Sequence, residues 1–157
     1  MSNAIKTYDP KKVTMSFGSH IVTGFADDSF IVLEPGGDGI TKKYGCDGEI
    51  ARSVTPDDTF KVKVTLLQTS DSSKHLQQCY DRDRETCEGL YPLMIKDLRG
   101  GMLFSAEDAW VTNAASRTFG KETNNKEWTL ETGTVTVSEY HRRMIMKQME
   151  TITVKVG

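Results

Sequence analysis

Residues 60–67 alternate without a break: Phe60, Val62, Val64 and Leu66 share one side, and Lys61, Lys63, Thr65 and Leu67 the other. Side chains of a strand point alternately to its two faces, so this pattern predicts a strand with one dry face and one mostly wet face. Such a strand must lay its dry face on a core, so the chain has to build a sheet around it. The run ends at Gln68-Thr69-Ser70-Asp71, a polar cluster of the kind that starts helices. The strand carries no group suited to catalysis, which marks it as scaffold.

Other stretches repeat the theme. Val13, Met15 and Phe17 alternate with Thr14, Ser16 and Gly18, predicting a strand after a polar N-terminal arm, residues 1–12. A second strand is expected over His20 to Phe25, and a mostly buried one over Ser29 to Glu34. Pro35-Gly36-Gly37-Asp38-Gly39 breaks that strand, and residues 34–45 read as a Gly-rich hairpin loop with Ile40 to Tyr44 as its returning arm. Cys46-Asp47-Gly48 is an Asp-Gly turn, and Glu49 to Val54 pairs with Thr59 to Gln68 around Thr55-Pro56-Asp57-Asp58. A helix is expected over residues 71–88, with Leu76, Cys79, Tyr80, Asp83 and Cys87 near one face. Tyr91 to Leu98 and Met102 to Phe104 flank an Arg99-Gly100-Gly101 turn, while Ser105 to Ala115 reads equally as strand or helical turn. Glu127 to Thr136 reads as a strand, Tyr140 to Glu150 as strand or short helix, and Thr151 to Val156 alternates again. The sum is a mainly β chain with one clear helix, and many short strands at this spacing favour a sandwich or barrel.

A chain of 157 residues with no compositional break is expected to form a single domain. At that size folding buries about two-thirds of the unfolded surface, enough for a core without staples. The formal net charge is -2 with 27% charged residues, which disfavours coating nucleic acid, because phosphate binding needs concentrated Lys and Arg. No apolar run approaches the roughly 18–20 residues of a membrane span, and the N-terminus does not read as a signal peptide. Three cysteines, Cys46, Cys79 and Cys87, make an odd count that points to reduced thiols. Cys79 and Cys87 would lie about 12 Å apart along a helix, too far for a disulfide.

Motifs that could carry chemistry are weak. Pro35 to Lys43 lacks the Gly-Lys-Ser/Thr ending and following helix of a phosphate loop. Asp27-Asp28 and Asp57-Asp58 lack the alternating oxygen ligands of a calcium loop. His20, His75 and His141 are scattered, so no metal or cofactor is expected. Cys79 and His75 sit four apart on the predicted helix and would neighbour each other, but no third group orients them as a nucleophile pair. Asp81-Arg82-Asp83-Arg84-Glu85 reads as a solvated face or a source of inter-subunit ion pairs. Trp110 and Trp128 read as core or interface residues.

The Asp47-Gly48 turn, the Arg52-Ser53 strand, the Asp57-Asp58 turn, the alternating strand and then Gln68-Thr69-Ser70 before a helix form an ordered pattern. In that order it resembles the tail-tube proteins of bacteriophages, which are related to the tube protein of type VI secretion systems. The resemblance implies two antiparallel sheets packed as a sandwich or barrel with one flanking helix, in a non-enzymatic virion protein of the tail, made in the host cytoplasm. It implies hexameric rings that stack head-to-tail into a conduit through which DNA passes without specific binding. Sheath, tape-measure and terminator proteins are the implied partners beside further copies of the chain, with no membrane involved. Candidate contacts between subunits or rings are Pro35, Gly36, Gly37, Asp38, Gly39, Lys42 and Lys43, together with Arg82 and Arg84. Weakly charged strands at Ile31–Leu33, Met102–Phe104 and Ile152–Val156 are candidates for edge pairing with a neighbour. A tail-terminator or baseplate protein of similar fold is the alternative, and a small nucleic-acid or ligand-binding barrel is a third class.

Overall fold

Ten strands, one helix and a 3-10 turn at Pro10–Lys12 are built by residues 5, 7–27 and 29–139, the part of the chain that this computed structural model describes. In chain order the elements are β1 (Val13–Phe17), β2 (His20–Ile21), β3 (Ile31–Pro35), β4 (Ile40–Tyr44), β5 (Ile50–Val54), β6 (Phe60–Leu67), α1 (Asp71–Thr86), β7 (Tyr91–Asp97), β8 (Met102–Asn113), β9 (Asn125–Thr132) and β10 (Val135–Glu139). The segments predicted at 140–150 and 151–156 lie outside the described residues.

The described residues form a mainly β, sandwich-like architecture, with two antiparallel sheets, one helix and no closed barrel among them. The large sheet has the order β2-β1-β7-β8-β9-β6-β3. Strand β8 is long enough to serve two partners in succession: β10 pairs with Met102–Ala106 and β9 with Ala109–Asn113. The second sheet is the β4–β5 hairpin alone.

Strand β6 behaves as its alternation requires. Val62, Val64 and Leu66 are fully buried and Phe60 half-buried, in a core that also holds Phe17, Ile95, Phe104, Trp128 and Leu130. Helix α1 covers one flank of this core with Leu76 and Cys79. Its start is capped by Ser70, whose Oγ accepts from Ser72 N at 3.3 Å and donates to Thr23 O at 2.6 Å. Its end is Cys87 in the left-handed conformation, with its N–H bonded to Asp83 O. Ser70→Ala removes a helix cap and a tether to the 22–26 segment at once. It is expected to cost about 1–2 kcal/mol in urea denaturation, and an unchanged midpoint would deny the cap its role.

Several expectations are corrected. The strand expected over residues 20–25 stops at Ile21, because the chain then crosses the core to bridge Phe25 to Leu66. At this crossing Gly24 has φ +78°, and a Cβ there would lie 2.6 Å from Ser70 Cβ. Strand β3 is half-buried, not mostly buried, because among the described residues it pairs with β6 alone and ends the large sheet. Met102–Phe104 is not an edge, since β7 and β10 flank it. Residues 105–113 continue β8, resolving the helix-or-strand ambiguity in favour of strand.

Most consequential is the pairing of β3 to β6. The sequence suggested two successive hairpins, β3 with β4 and β5 with β6. The structure nests them: β3 pairs with β6 (Ile31↔Val64 to Pro35↔Phe60), and β4 pairs with β5 (Ile40↔Val54 to Tyr44↔Ile50). The hydrogen bond from Gly36 N to Thr59 O, at 2.8 Å, continues the outer ladder to the base of the inner hairpin. Ile40–Tyr44 is thus a strand, as expected, but it pairs with β5 rather than returning along β3, and only residues 36–39 join the two.

Candidate assembly surface

The inner hairpin stands clear of the body. All ten residues of β4 and β5 are exposed. The register puts Ile40, Lys42 and Tyr44 on the same face as Val54, Arg52 and Ile50, with Thr41, Lys43, Ala51 and Ser53 on the other. Four large apolar side chains thus meet water: Ile40 at 60% exposure, Tyr44 at 60%, Ile50 at 59% and Val54 at 71%. Between them Lys42 lies directly across from Arg52. Lys42 Nζ sits 5.4 Å from the centre of the Tyr44 ring.

Local chemistry keeps this hairpin in shape. Gly45 N bonds to Glu49 O at 2.7 Å, and Gly48, at φ +84°, closes the tip. Asp47 Oδ1 accepts from Glu49 N. At the base, Asp57 Oδ1 accepts from both the backbone N–H and the hydroxyl of Thr59. These bonds hold the Asp57 carboxyl below its ordinary range, the hydroxyl contributing more than the amide. A two-stranded hairpin without a covering layer is marginal in water. One that presents four large apolar side chains on one face is a surface awaiting a cover.

The sequence-derived contact residues do not gather into one site. Pro35 is the last residue of β3, where the missing N–H of proline suits a sheet edge, Gly36–Gly39 form the hairpin stem, and Lys42 and Lys43 point to opposite faces of β4. Arg82 and Arg84 lie on the last turns of α1, with Arg84 Nη1 3.3 Å from Tyr80 Oη. Among the described residues the one ion pair is Lys63–Glu34, so the alternating charges of α1 do not pair within the helix. Ile50, Arg52 and Val54 were missed as contact residues. Their segment reads as a strand from the sequence, but the Thr55–Asp58 turn signal assigns it to β6.

A second cluster joins α1 to β2. The His20 and His75 rings stack at 4.4 Å, and His20 Nε2 lies 2.9 Å from Ser72 Oγ, which also accepts from Thr23 N at 2.9 Å. Burial pushes His75 below its ordinary value of 6.5, the charge of His20 adds to this, and a bond with the Phe17 backbone opposes it. Unfolding frees His75 to take up a proton more readily. Stability is therefore full above pH 6.5 and falls as the pH drops below it. His75→Gln is expected to flatten that acid limb in melts between pH 7.5 and 5. An identical pH profile for the variant would remove His75 from the account. Cys79 Sγ is 3.6 Å from His75 Nε2, but burial raises the thiol, which makes it a poor nucleophile. All three cysteines are free, and no group of three metal-ligating side chains occurs among the described residues.

No family model matches the chain. A curated relative, structural protein ORF10 of Pseudomonas phage KPP10, is 28% identical over 138 residues, covering 83% of this chain and 80% of that protein. Among solved structures, the tube-terminating cap of the anti-feeding prophage superposes with a TM-score of 0.56 at 8% identity, covering 89% of this chain and 96% of that one. A chain of the PVC extracellular contractile injection system, from its sheath–tube complex in the extended state, gives 0.55 at 9% identity, covering 85% and 93%. The structural matches show a shared fold, and the sequence match ties the chain to a phage structural protein. The chain is thus similar in sequence to a phage structural protein and in fold to chains of contractile injection systems.

Proposed function

We propose that this phage structural protein is the subunit of a tail tube, in a phage, a prophage or a tail-like bacteriocin, and that it acts without catalysis. Subunits close into hexameric rings, and rings stack head-to-tail in the heterologous geometry that propagates without closing. Sheath, tape-measure and terminator proteins bind the finished tube. The observation that carries the reading is the β4–β5 hairpin, whose apolar face is uncovered among the described residues. The formal charge of -2 suits a lumen that must pass DNA without holding it. The protein then resides in the virion tail after assembly in the host cytoplasm.

A second reading, a tail terminator that caps the tube with one ring, is favoured by the nearly equal superposition on a terminating cap and on a tube complex. Copy number separates the two. Quantitative mass spectrometry of purified particles should find many rings' worth of the chain per particle. A single ring's worth would replace the tube reading with the terminator, and absence from the particle would end both.

A further inference from the structure

The hairpin face has a like-charged centre. Lys42 and Arg52 are directly opposite, an arrangement that destabilises a two-stranded ladder, and no carboxylate lies within ion-pair distance of either among the described residues. The face is complete only against something apolar that also carries negative charge. The body of the same chain has such a surface. Beside the edge of β3 that no described residue pairs with runs a groove of about 660 Å³, walled by Val13, Ile31, Leu33 and Met102 and bearing the carboxylates Asp27 and Asp97. It lies where the large sheet fails to close, between β3 at one end of the strand order and β1 near the other.

We propose that this groove receives the β4–β5 hairpin of a second copy of the chain. The Ile40–Val54 and Tyr44–Ile50 pairs lie on the apolar walls, and Lys42 and Arg52 meet Asp27 and Asp97. Hairpin and groove are different surfaces, so the contact is heterologous and can repeat from copy to copy. The inference rests on the reading of the chain as a self-assembling tail subunit, and adds where the hairpin docks. It also explains the two cations at the centre of an exposed apolar face, which a purely hydrophobic contact would not need. Asp97 accepts from Arg99 N and Gly100 N in the β7–β8 turn, so its replacement would disturb the fold. Asp27, an exposed residue, is the position to change.

The test is charge reversal in the full-length chain, read by sedimentation across a concentration series with circular dichroism as the folding control. Arg52→Glu and Asp27→Lys should each raise the concentration needed for assembly by about tenfold or more. The double variant should recover most of the loss. If Arg52→Glu blocks assembly while Asp27→Lys does not, the hairpin docks elsewhere and the groove assignment is wrong. If Asp27→Lys lowers the melting temperature of the monomer and spares assembly, the groove belongs to the chain's own fold, and the proposal again fails. A wild-type protein that never assembles overturns the tube reading itself, and the docking proposal with it.

Discussion

Val64→Asp is expected to lower stability by about 3–5 kcal/mol, a large part of what holds a domain of this size together. Val64 is fully buried in β6, with Ile31 of β3 across one edge and Trp128 of β9 across the other. No cation of the described residues lies in that core to receive a carboxylate. The aspartate must either stay ionised at a heavy desolvation cost or take up a proton and remain unpaired. The melting midpoint should fall by roughly 6–20 °C. Lys63→Asp, one residue away on the wetter face, should change it far less. Equal effects at the two positions would show that the faces of β6 are assigned wrongly.

Excising the inner hairpin should have the opposite profile: large for assembly, small for folding. Gly36 and Thr59 are already hydrogen-bonded, so an Asn-Gly pair in place of residues 37–58 would turn β3 directly into β6 through a two-residue hairpin. The removed strands contribute no buried side chain. The body does lose the bond from Val135 N to Asp58 O, at 3.1 Å, so a modest drop of a few degrees is expected. Self-association should be abolished at every concentration at which wild type assembles. Circular dichroism and sedimentation of the same samples decide the matter. An unfolded variant would make the hairpin part of the core's support, and a variant that still polymerises would remove it from assembly.

Much of the fold was legible because its signals are local. Alternation in β1 and β6 sets which side chains are buried, and Ser70 before an amphipathic run sets the start of α1. What was not legible is non-local. Pro35–Gly39 and Thr55–Asp58 both carry turn chemistry, and turns alone cannot distinguish two successive hairpins from one nested inside another. Strand β6 has two edges: β9 takes one along Lys61–Leu67 and β3 takes the other, which leaves β5 to find β4. The same mistake hid Ile50, Arg52 and Val54, since residues assigned to a pair with β6 are not sought on an exposed surface. Strand β8 was ambiguous because Ala106, Glu107 and Ala109 favour helix locally, and only the neighbouring β7 and β9 make that stretch extended. Ser72 and Ser73 are buried polar residues that composition would place in water. Ser73 Oγ lies 3.4 Å from Trp128 Nε1, so its hydroxyl is used inside the core.

Self-assembly is the property on which the whole account turns, and electron microscopy of the purified protein in negative stain, over a rising concentration series, reads it directly. Rings are expected first and stacked tubes of uniform diameter at higher concentration, with neither formed by the hairpin-excised variant. A folded protein that remains monomeric throughout, even when tail tubes are added as seeds, would contradict it.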